Sequence, residues 1–241
     1  MAGSTLDPAE IAKFSALAAE WWNPEGPFGA LHRMNPVRLQ YLRDLALRHF
    51  NTSPRKALEH VRTLDLGCGG GLVSAPLARM GAKLTAIDAS EEAIGAARAY
   101  ADQAGLEIMF EATTAEALVE RGETFELVTA LEIVEHVSDV GAFLSAASAL
   151  VAPGGVLVLS TINRTQKARA LAIIGAERVL KWAPEGAHDY EKLVTPEEIR
   201  AGAPKLQWDE PVGISYEPLG SGWALSSDIS MNYMMAGAKR R

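Results

Sequence analysis

The 241-residue chain has one cysteine, Cys68, and no long run of apolar residues. A single thiol cannot form an internal disulfide, which is typical of a protein in a reducing compartment. A transmembrane helix needs about 20 consecutive apolar residues, and the first residues show no basic stretch followed by an apolar one. We therefore expect a cytoplasmic protein without a membrane-spanning helix.

An excess of positive charge is also missing. Lysine and arginine total 23 against 30 aspartates and glutamates, which gives a formal net charge of −7. A polyphosphate partner normally needs a basic face, so we expect no nucleic-acid binding. The hydrophobic share of 48% is enough for one well-buried core.

The centre of the chain alternates between strand and helix patterns. The alternation is typical of a parallel sheet covered by helices on both faces. Two later apolar runs, 206–216 and 228–236, are predicted to complete the sheet as a hairpin. The predicted strands are 63–66, 83–88, 108–111, 125–131 and 156–161, and the predicted helices lie near 72–80, 91–104 and 139–150.

Two helices are predicted before this region. Asp7 and Pro8 are a typical helix start, and Asn35-Pro36 is predicted to begin the second helix, which runs towards Phe50. Residues 1–50 are too few for an independent domain. We therefore expect one domain, 1–241, with a helical cap at 1–50.

A glycine-rich loop follows the first predicted strand, and Asp88 ends the second. Gly67, Gly69, Gly70 and Gly71 permit a tight turn and close approach of a ligand, while an aspartate can accept hydrogen bonds from both ribose hydroxyls. The glycines are contiguous, unlike the G-x-G-x-x-G spacing that places a dinucleotide pyrophosphate on a helix N-terminus. The pattern therefore favours a nucleoside that carries an amino-acid tail, as S-adenosylmethionine (SAM) does, over NAD, with Asp65 and the loop carbonyls receiving that tail.

Three ionisable residues, Glu132, Glu135 and His136, follow the fourth predicted strand. Two carboxylates and an imidazole can hold a hard divalent cation, or His136 can act as the general base for a phenol. His136 can equally be a histidine that holds the loop by hydrogen bonds. The two carboxylates fit the cation better, but the pattern alone leaves these alternatives open.

The segment 164–191 interrupts the alternation and combines basic with apolar residues. A lid over the substrate and a membrane-surface helix both suit this composition. An ordinary packed helix with solvated charges is the third alternative, because basic and apolar residues do not separate on a helical wheel. These alternatives stay open at this level.

Several longer motifs occur in an order that one protein family also shows. The chain resembles the bacterial ubiquinone-biosynthesis O-methyltransferases, within the class I methyltransferases, over nearly its whole length. The motifs are Trp21-Trp-Asn-Pro-Glu-Gly26, Leu31-His-Arg-Met-Asn-Pro36, Asp65-Leu-Gly-Cys-Gly-Gly-Gly71, Glu132-Ile-Val-Glu-His136 and Ser160-Thr-Ile-Asn-Arg164.

The resemblance implies an α/β fold and an enzymatic activity. The fold is a Rossmann-like, doubly wound, seven-stranded mixed sheet whose last strand is antiparallel, with an insertion after strand 5. The implied activity is methyl transfer from SAM to ring hydroxyls of polyprenylated catechol and demethylubiquinol, which are both O-methylation steps of ubiquinone biosynthesis. A non-catalytic SAM-binding scaffold in a membrane biosynthetic complex is the alternative.

The resemblance also implies residue roles and partners. It implies a polyprenyl phenol or quinol substrate, other ubiquinone-biosynthesis enzymes as partners, and contact of 164–191 with the inner face of the cytoplasmic membrane. The implied cofactor contacts are Arg38, Gly67, Asp88 and Leu131; the implied catalytic residues are His136 and Glu132; and the implied Mg²⁺ ligands are Glu132, Glu135 and His136.

Overall fold

The fold is taken from a computed structural model that describes residues 5–170, 190–217 and 222–241. Its strands join in one mixed sheet. The strands are β1 (Arg62–Leu66), β2 (Lys83–Asp88), β3 (Met109–Ala112), β4 (Phe125–Leu131), β5 (Val151–Ile162), β6 (Leu206–Trp208), β7 (Val212–Glu217), β8 (Gly222–Ser226) and β9 (Asn232–Lys239).

Helices connect and cover these strands. The predicted helix start at Asp7 is confirmed, because the Asp7 carboxylate accepts hydrogen bonds from the first backbone N–H groups of α1. The helices are α1 (Pro8–Ala16), α2 (Gly29–Phe50), α3 (Ser74–Arg79), α4 (Glu91–Gln103), α5 (Ala115–Glu120), α6 (Val140–Ala149), α7 (Gln166–Ala168) and α8 (Pro196–Gly202).

The strand order is β3-β2-β1-β4-β5-β9-β7-β8, with β6 also paired to β9. The pairs among β1 to β5 are parallel, and β9 runs antiparallel to β5. The order reverses between β1 and β4, and this reversal is the place where open parallel sheets bind ligands. The predicted class I methyltransferase sheet with an antiparallel last strand is confirmed.

The predicted run 206–216 forms two strands instead of one. Both β6 and β7 pair with β9, at successive stretches of that strand, so together they occupy one position in the sheet. The chain between the two predicted hairpin strands adds β8, an edge strand that the sequence pattern did not predict.

Both faces of the sheet are buried. Leu127 and Val128 are neighbours on β4, and both are almost completely buried, but they pack in separate apolar clusters on opposite faces. The cluster of Leu127 includes Leu42 of α2, and the cluster of Val128 includes Leu144 of α6. The sheet therefore has one helical layer on each side.

The second helix begins earlier than predicted. Helix α2 begins at Gly29, and Pro36 lies inside it instead of at its start. A proline in a helix interior removes one backbone hydrogen bond and costs about 3 kcal/mol. Met34, Tyr41 and Leu42 are buried along one side of α2, and this burial outweighs the local preference of proline for a helix start.

The predicted insertion lies mostly outside the described residues. Its described ends carry ion pairs from Arg164 to Glu198 and from Lys167 to Asp228, the second at 2.6 Å. Among the described parts of the chain, no helix is long and apolar enough to cross a membrane.

Candidate active site

One cavity of about 800 Å³ lies where β1, β2 and β4 end. This is the carboxyl edge of the parallel strands, at the reversal of strand order. Helix α1 and the start of α2 form the opposite wall. The residues that the family resemblance implies for the site all line the cavity: Arg38, Gly67, Asp88, Leu131, Glu132, Glu135 and His136.

The glycine loop, residues 67–71, is tied to β2 by its backbone. The N–H groups of Gly67 and Cys68 both donate to the carbonyl of Ile87, at 2.9 Å. Gly67 has a φ of +73°, and a Cβ atom there would lie 2.6 Å from the side chain of Ile133. Only glycine fits this position, since its backbone is left-handed and its surroundings are filled.

The next glycines make room for the N-terminal cap. A Cβ atom on Gly69 or Gly70 would lie within 2.4 Å of the Trp21 ring. The neighbouring Trp22 donates from Nε1 to the carbonyl of Gly70 at 2.9 Å and stacks on Tyr100. The sequence pattern assigns these glycines to a ligand alone, whereas the structure shows that they also accommodate two tryptophans.

Asp88, at the end of β2, is hydrogen-bonded to the glycine loop. Its carboxylate accepts one hydrogen bond from the N–H of Gly69 and one from the N–H of Ser90, both at 2.9 Å. Burial raises the pKa of the Asp88 carboxyl, and the two backbone N–H groups oppose that rise. Each carboxylate oxygen has further acceptor capacity on the cavity side, so this group is suited to a pair of ligand hydroxyls.

Asp65 connects three elements beneath the glycine loop. Its carboxylate accepts hydrogen bonds from the hydroxyls of Ser74, at 2.5 Å, and Thr129, at 2.9 Å. The residue is only 2% exposed. Asp65 therefore joins β1, α3 and β4 beneath the loop. It also lines the cavity, and its contact with an amino-acid tail stays a prediction.

Arg38 is a buried cation at the cavity. It is 2% exposed, and its Nη2 donates to Asn35 Oδ1 at 3.1 Å and to the Leu31 carbonyl at 3.4 Å. Its Nε is buried and has no hydrogen-bond partner, and no carboxylate of the described residues lies within ion-pair distance of its guanidinium. A buried guanidinium in this state fits an anionic group of a ligand, such as the carboxylate of SAM.

The loop after β4 begins with a strained residue. Leu131 is buried at the end of the strand, and Glu132 follows with a φ of +53°, which is rare for a residue with a side chain. The Glu132 N–H donates to the Ser160 carbonyl at 2.9 Å, and its carboxylate accepts from Ser160 Oγ at 2.6 Å. These two hydrogen bonds to Ser160 of β5 stabilise the left-handed backbone conformation of Glu132.

His136 is held by the N-terminal helix. Its Nδ1 lies 3.0 Å from Oε2 of Glu10, and the Phe14 ring contacts it edge-on at 5.0 Å between centroids. Burial lowers the His136 pKa, but the hydrogen bond to Glu10 and the negative charge of Glu135 outweigh burial, so the net pKa is raised above its usual value near 6.5.

The side chain of Glu135 is buried. The residue is 3% exposed, and neither carboxylate oxygen has a hydrogen-bond partner among the described residues. Burial first, and then the negative charge of Glu132, raise the pKa of Glu135 to about 7. This carboxyl is therefore destabilising whenever it is ionised.

The predicted Mg²⁺ site is not formed in this structure. Across residues 5–170, 190–217 and 222–241, no three His, Cys, Asp or Glu side chains are grouped so as to hold a metal ion. The carboxylate of Glu132 is hydrogen-bonded to Ser160, and Nδ1 of His136 is hydrogen-bonded to Glu10. The hydrogen bond to Glu10 does not by itself occupy His136, because a histidine that binds a metal through Nε2 ordinarily donates its Nδ1–H to a carboxylate.

Replacing Glu135 with Gln should stabilise the protein at pH 8 much more than at pH 5. The folded-state pKa of about 7 exceeds the ordinary value of 4.5, so ionisation of Glu135 opposes folding. The penalty is absent below pH 4.5, grows as the pH rises and is complete above pH 7. One pKa unit corresponds to about 1.4 kcal/mol, so we expect about 1–3 kcal/mol, or roughly 3–10 °C in Tm.

Thermal melts at both pH values measure this difference. Glu107→Gln makes the same chemical change at an exposed position and should move Tm little. A Glu135→Gln protein that melts at or below the wild-type temperature at pH 8 would contradict the expected penalty.

Sequence reasoning missed the contribution of the N-terminal helix to this site. Ile11 and Phe14 of α1, and Leu17 directly after it, line the cavity. Glu10, from the same helix, contacts His136 although 126 positions separate them. No local sequence signal identifies that contact, because a glutamate in the first turn of a helix is common for reasons of the helix dipole alone.

Sequence comparisons place this geometry among known methyltransferases. A family model described as a methyltransferase domain matches residues 13–200. The chain is 50% identical over 243 residues to the ubiquinone biosynthesis O-methyltransferase of Rhizobium johnstonii, with 99% of this chain and 98% of that protein covered. It is also 50% identical to the protein of the same name from Brucella anthropi, with 97% and 96% covered.

A solved structure shows the same fold. The magnesium protoporphyrin IX methyltransferase of Synechocystis PCC 6803, solved with bound S-adenosylhomocysteine (SAH), superposes with a TM-score of 0.66. The match covers 95% of this chain and 94% of that chain at 18% sequence identity. At that level of identity, the similarity concerns the fold.

Proposed function

The chain belongs to the ubiquinone biosynthesis O-methyltransferase family and is a SAM-dependent O-methyltransferase, and we propose that it methylates ring hydroxyls of polyprenylated catechol and of demethylubiquinol. The proposal thus comprises both O-methylation steps of ubiquinone biosynthesis. The observation that carries it is one cavity in which Asp88, the unpaired Arg38 and the imidazole of His136 all face the same space.

Cofactor binding is assigned to residues at the ends of three strands and to Arg38. With the cofactor bound, the Asp88 carboxylate would accept hydrogen bonds from the ribose hydroxyls, and the buried Arg38 guanidinium would bind the methionine carboxylate. Gly67 lets the ligand approach the backbone closely, and Leu131 provides an apolar contact at the end of β4. When bound, SAM supplies an electrophilic methyl group, and its loss leaves SAH.

The acceptor hydroxyl needs a proton acceptor and an oriented position. A phenol has a pKa near 10, so His136 takes its proton as a general base close to the transition state. Glu132, held by Ser160 in its strained conformation, shapes the loop beside the acceptor oxygen. Holding the acceptor in line with the methyl group supplies much of the acceleration. No step of this proposal uses a metal ion, because the described residues do not form a ligand set.

The cavity wall suits an aromatic, prenylated acceptor. Apolar side chains of α1 and of β7, among them Phe14 and Ile214, line the cavity together with Trp223 of β8. An apolar wall binds a ring and the first prenyl units by removing their surface from water.

Calorimetry and a methyl-transfer assay test the proposal. We expect SAH to bind at micromolar concentration, NADH not to bind, and the methyl group of SAM to appear on the oxygen of 3-allylcatechol, detected by mass spectrometry. Binding of NADH instead of SAH would contradict the proposal. SAH binding without methyl transfer to any prenylated catechol or quinol would favour the alternative, a scaffold that binds the cofactor.

We also propose peripheral contact with the cytoplasmic membrane through 164–191, in the vicinity of other ubiquinone-biosynthesis enzymes. The polyprenyl tail of the substrate partitions into lipid, and the segment is basic and apolar in an acidic chain. Lys167 is already paired with Asp228 at 2.6 Å, so it is excluded from the test.

Charge reversal at Arg178 and Lys181 should reduce flotation with anionic liposomes at least about threefold, because each basic residue near such a surface contributes about 1 kcal/mol. The matched control reverses Arg55 and Lys56, which are exposed and lie outside the cavity. Equal flotation of both variants and of wild type would contradict membrane contact through this segment.

A further inference from the structure

The cavity extends beyond the cofactor residues, along the carboxyl edge of the sheet. Thr113, which follows β3, and Trp223 of β8 both line it, and β3 and β8 are the two ends of the strand order. Neighbouring strands lie about 4.8 Å apart, so the four steps from β4 to β8 alone span about 19 Å. This length exceeds that of one catechol ring and leaves room for a further group beyond the reacting centre.

The strand register places an aromatic pair at the β8 end of this edge. Ile214 of β7 lies opposite Asn232 of β9, which in turn lies opposite Ile162 at the end of β5. Two positions further along β7, Tyr216 lies opposite Trp223 of β8, and their ring centroids are 5.5 Å apart. Side chains alternate along a strand, so Ile214 and Tyr216 share one face of the sheet. Both line the cavity, as Trp223 does.

The chemistry of the cavity wall changes from one end to the other. At the ends of β2 and β4 the wall includes charged groups, such as the Asp88 carboxylate. At β7 and β8 it is mainly apolar, because Ile214 is buried in an apolar cluster and Trp223 packs against that cluster. Ser215 adds a hydroxyl there, which is already paired with the hydroxyl of Ser226 at 2.8 Å. The β7–β8 end therefore suits a hydrocarbon better than a polar group.

The cavity reaches the protein surface at this apolar end. Tyr216 is 47% exposed, and the side chains of Lys167 and Asp228 are each 48% exposed. The other described residues that line the cavity are all less exposed, and Arg38 and Leu131, at the cofactor end, are buried. Lys167 and Asp228 form an ion pair with each other, so a neutralised polar rim lies beside the apolar wall. A hydrocarbon chain attached to the acceptor ring therefore has a path to the outside.

We infer that Ile214, Tyr216 and Trp223 form a separate binding site for the prenyl chain, and that the two aromatic residues determine the preference for that chain. The inference rests on the proposed function, and it assigns the ring and the chain of the acceptor to different parts of the cavity. The ring lies beside the loop after β4, and the chain extends past Ile214 and Trp223 to the opening at Tyr216. The distance from β4 to β8 accommodates about two isoprene units beyond the ring, so later units lie outside the protein.

The test compares acceptors that differ only in the length of the chain. The series is 3-methylcatechol, 3-prenylcatechol, 3-geranylcatechol and 3-farnesylcatechol, each kept below the concentration at which it forms micelles. The chain takes no part in the reaction, so its contacts are equal in the ground state and the transition state and should lower KM without changing kcat. In wild type, the first and the second isoprene unit should each lower KM about tenfold. The third should lower it less than about threefold, because it lies in solvent.

The variants are compared by the chain preference, defined as kcat/KM on 3-geranylcatechol divided by kcat/KM on 3-methylcatechol. This ratio does not depend on the fraction of folded enzyme, so partial misfolding does not change it. Tyr216→Ala and Trp223→Ala should each lower it about tenfold. Tyr216→Phe and Trp223→Phe retain an apolar ring and should lower it less than about threefold. The control Met109→Ala truncates an exposed side chain outside the cavity and should keep the wild-type ratio.

Three results would overturn the inference. The first is a wild-type enzyme that methylates all four catechols with the same KM, and the second is an unchanged chain preference in both alanine variants. The third is an equal loss in the alanine and phenylalanine variants, which would assign the effect to the Tyr216 hydroxyl or to the Trp223 indole N–H instead of to apolar contact. If wild type methylates none of the four acceptors, the proposed function itself fails, and that result is distinct from the other three.

Discussion

Asp88→Ala should raise the dissociation constant of SAH at least about 100-fold and reduce methyl transfer at subsaturating SAM by a similar factor. Hydrogen bonds to a charged acceptor contribute roughly 1.5–3 kcal/mol each, and we assign two such bonds to the ribose hydroxyls. The same substitution also removes the acceptor of two backbone hydrogen bonds, which the N–H groups of Gly69 and Ser90 donate to the Asp88 carboxylate at 2.9 Å. Calorimetric titration with SAH measures the loss.

A ligand-side control separates ribose binding from damage to the loop. Removing the 2′-hydroxyl from SAH should weaken binding to wild type but have little further effect on Asp88→Ala, because the partner of that hydroxyl is already gone. Asp102→Ala, at an exposed position outside the cavity, should bind SAH as wild type does. If Asp88→Ala binds SAH within threefold of wild type, the proposed cofactor site is wrong.

His136→Ala should lower kcat on 3-allylcatechol about 100- to 10,000-fold while leaving the affinity for SAH within about threefold. General-base catalysis contributes factors of this size. In wild type, kcat should rise with pH and level off above a pKa higher than 6.5, because Glu10 and Glu135 favour the protonated ring and only the neutral ring accepts a proton. This inflection should be absent in the variant.

Two further measurements keep this prediction specific to the base. Added imidazole should restore part of the activity of His136→Ala, because a small base can enter the space that the side chain leaves. His49→Ala removes a histidine whose Nε2 contacts the carbonyl of Gly154, away from the cavity, and should retain wild-type kcat. An unchanged kcat in His136→Ala would show that the proton leaves by another route.

The residues that could be predicted from sequence are those whose positions follow from local rules. Gly67 and Asp88 end neighbouring strands of a β-α-β unit, and such units place the carboxyl ends of their strands side by side. Leu131 and Glu132 follow the next strand in the same way. The cavity lining contains all four. Arg38 is different, because its place in the site was known only from the family resemblance, and a helix arginine is ordinarily solvated.

The residues that could not be predicted act through burial or through contacts between distant segments. The Asp65 carboxylate bonds to Ser74 and Thr129, which no spacing rule indicates. The raised pKa of Glu135 depends on exclusion of water from its side chain. The start of α2 was misplaced because the local preference of Pro36 for a helix start is weaker than the burial of the helix side that contains it.

By itself, the sequence determined the positions of the five parallel strands, the glycine loop and the carboxylate at the end of β2, since periodicity and turn chemistry act over a few neighbouring residues. Tertiary structure alone decided which side chains meet: Trp21 against the loop glycines, and Glu10 against His136. Those contacts form because helices and strands that are distant in sequence pack together and exclude water. The sequence pattern of any one segment does not show which other segment will pack against it.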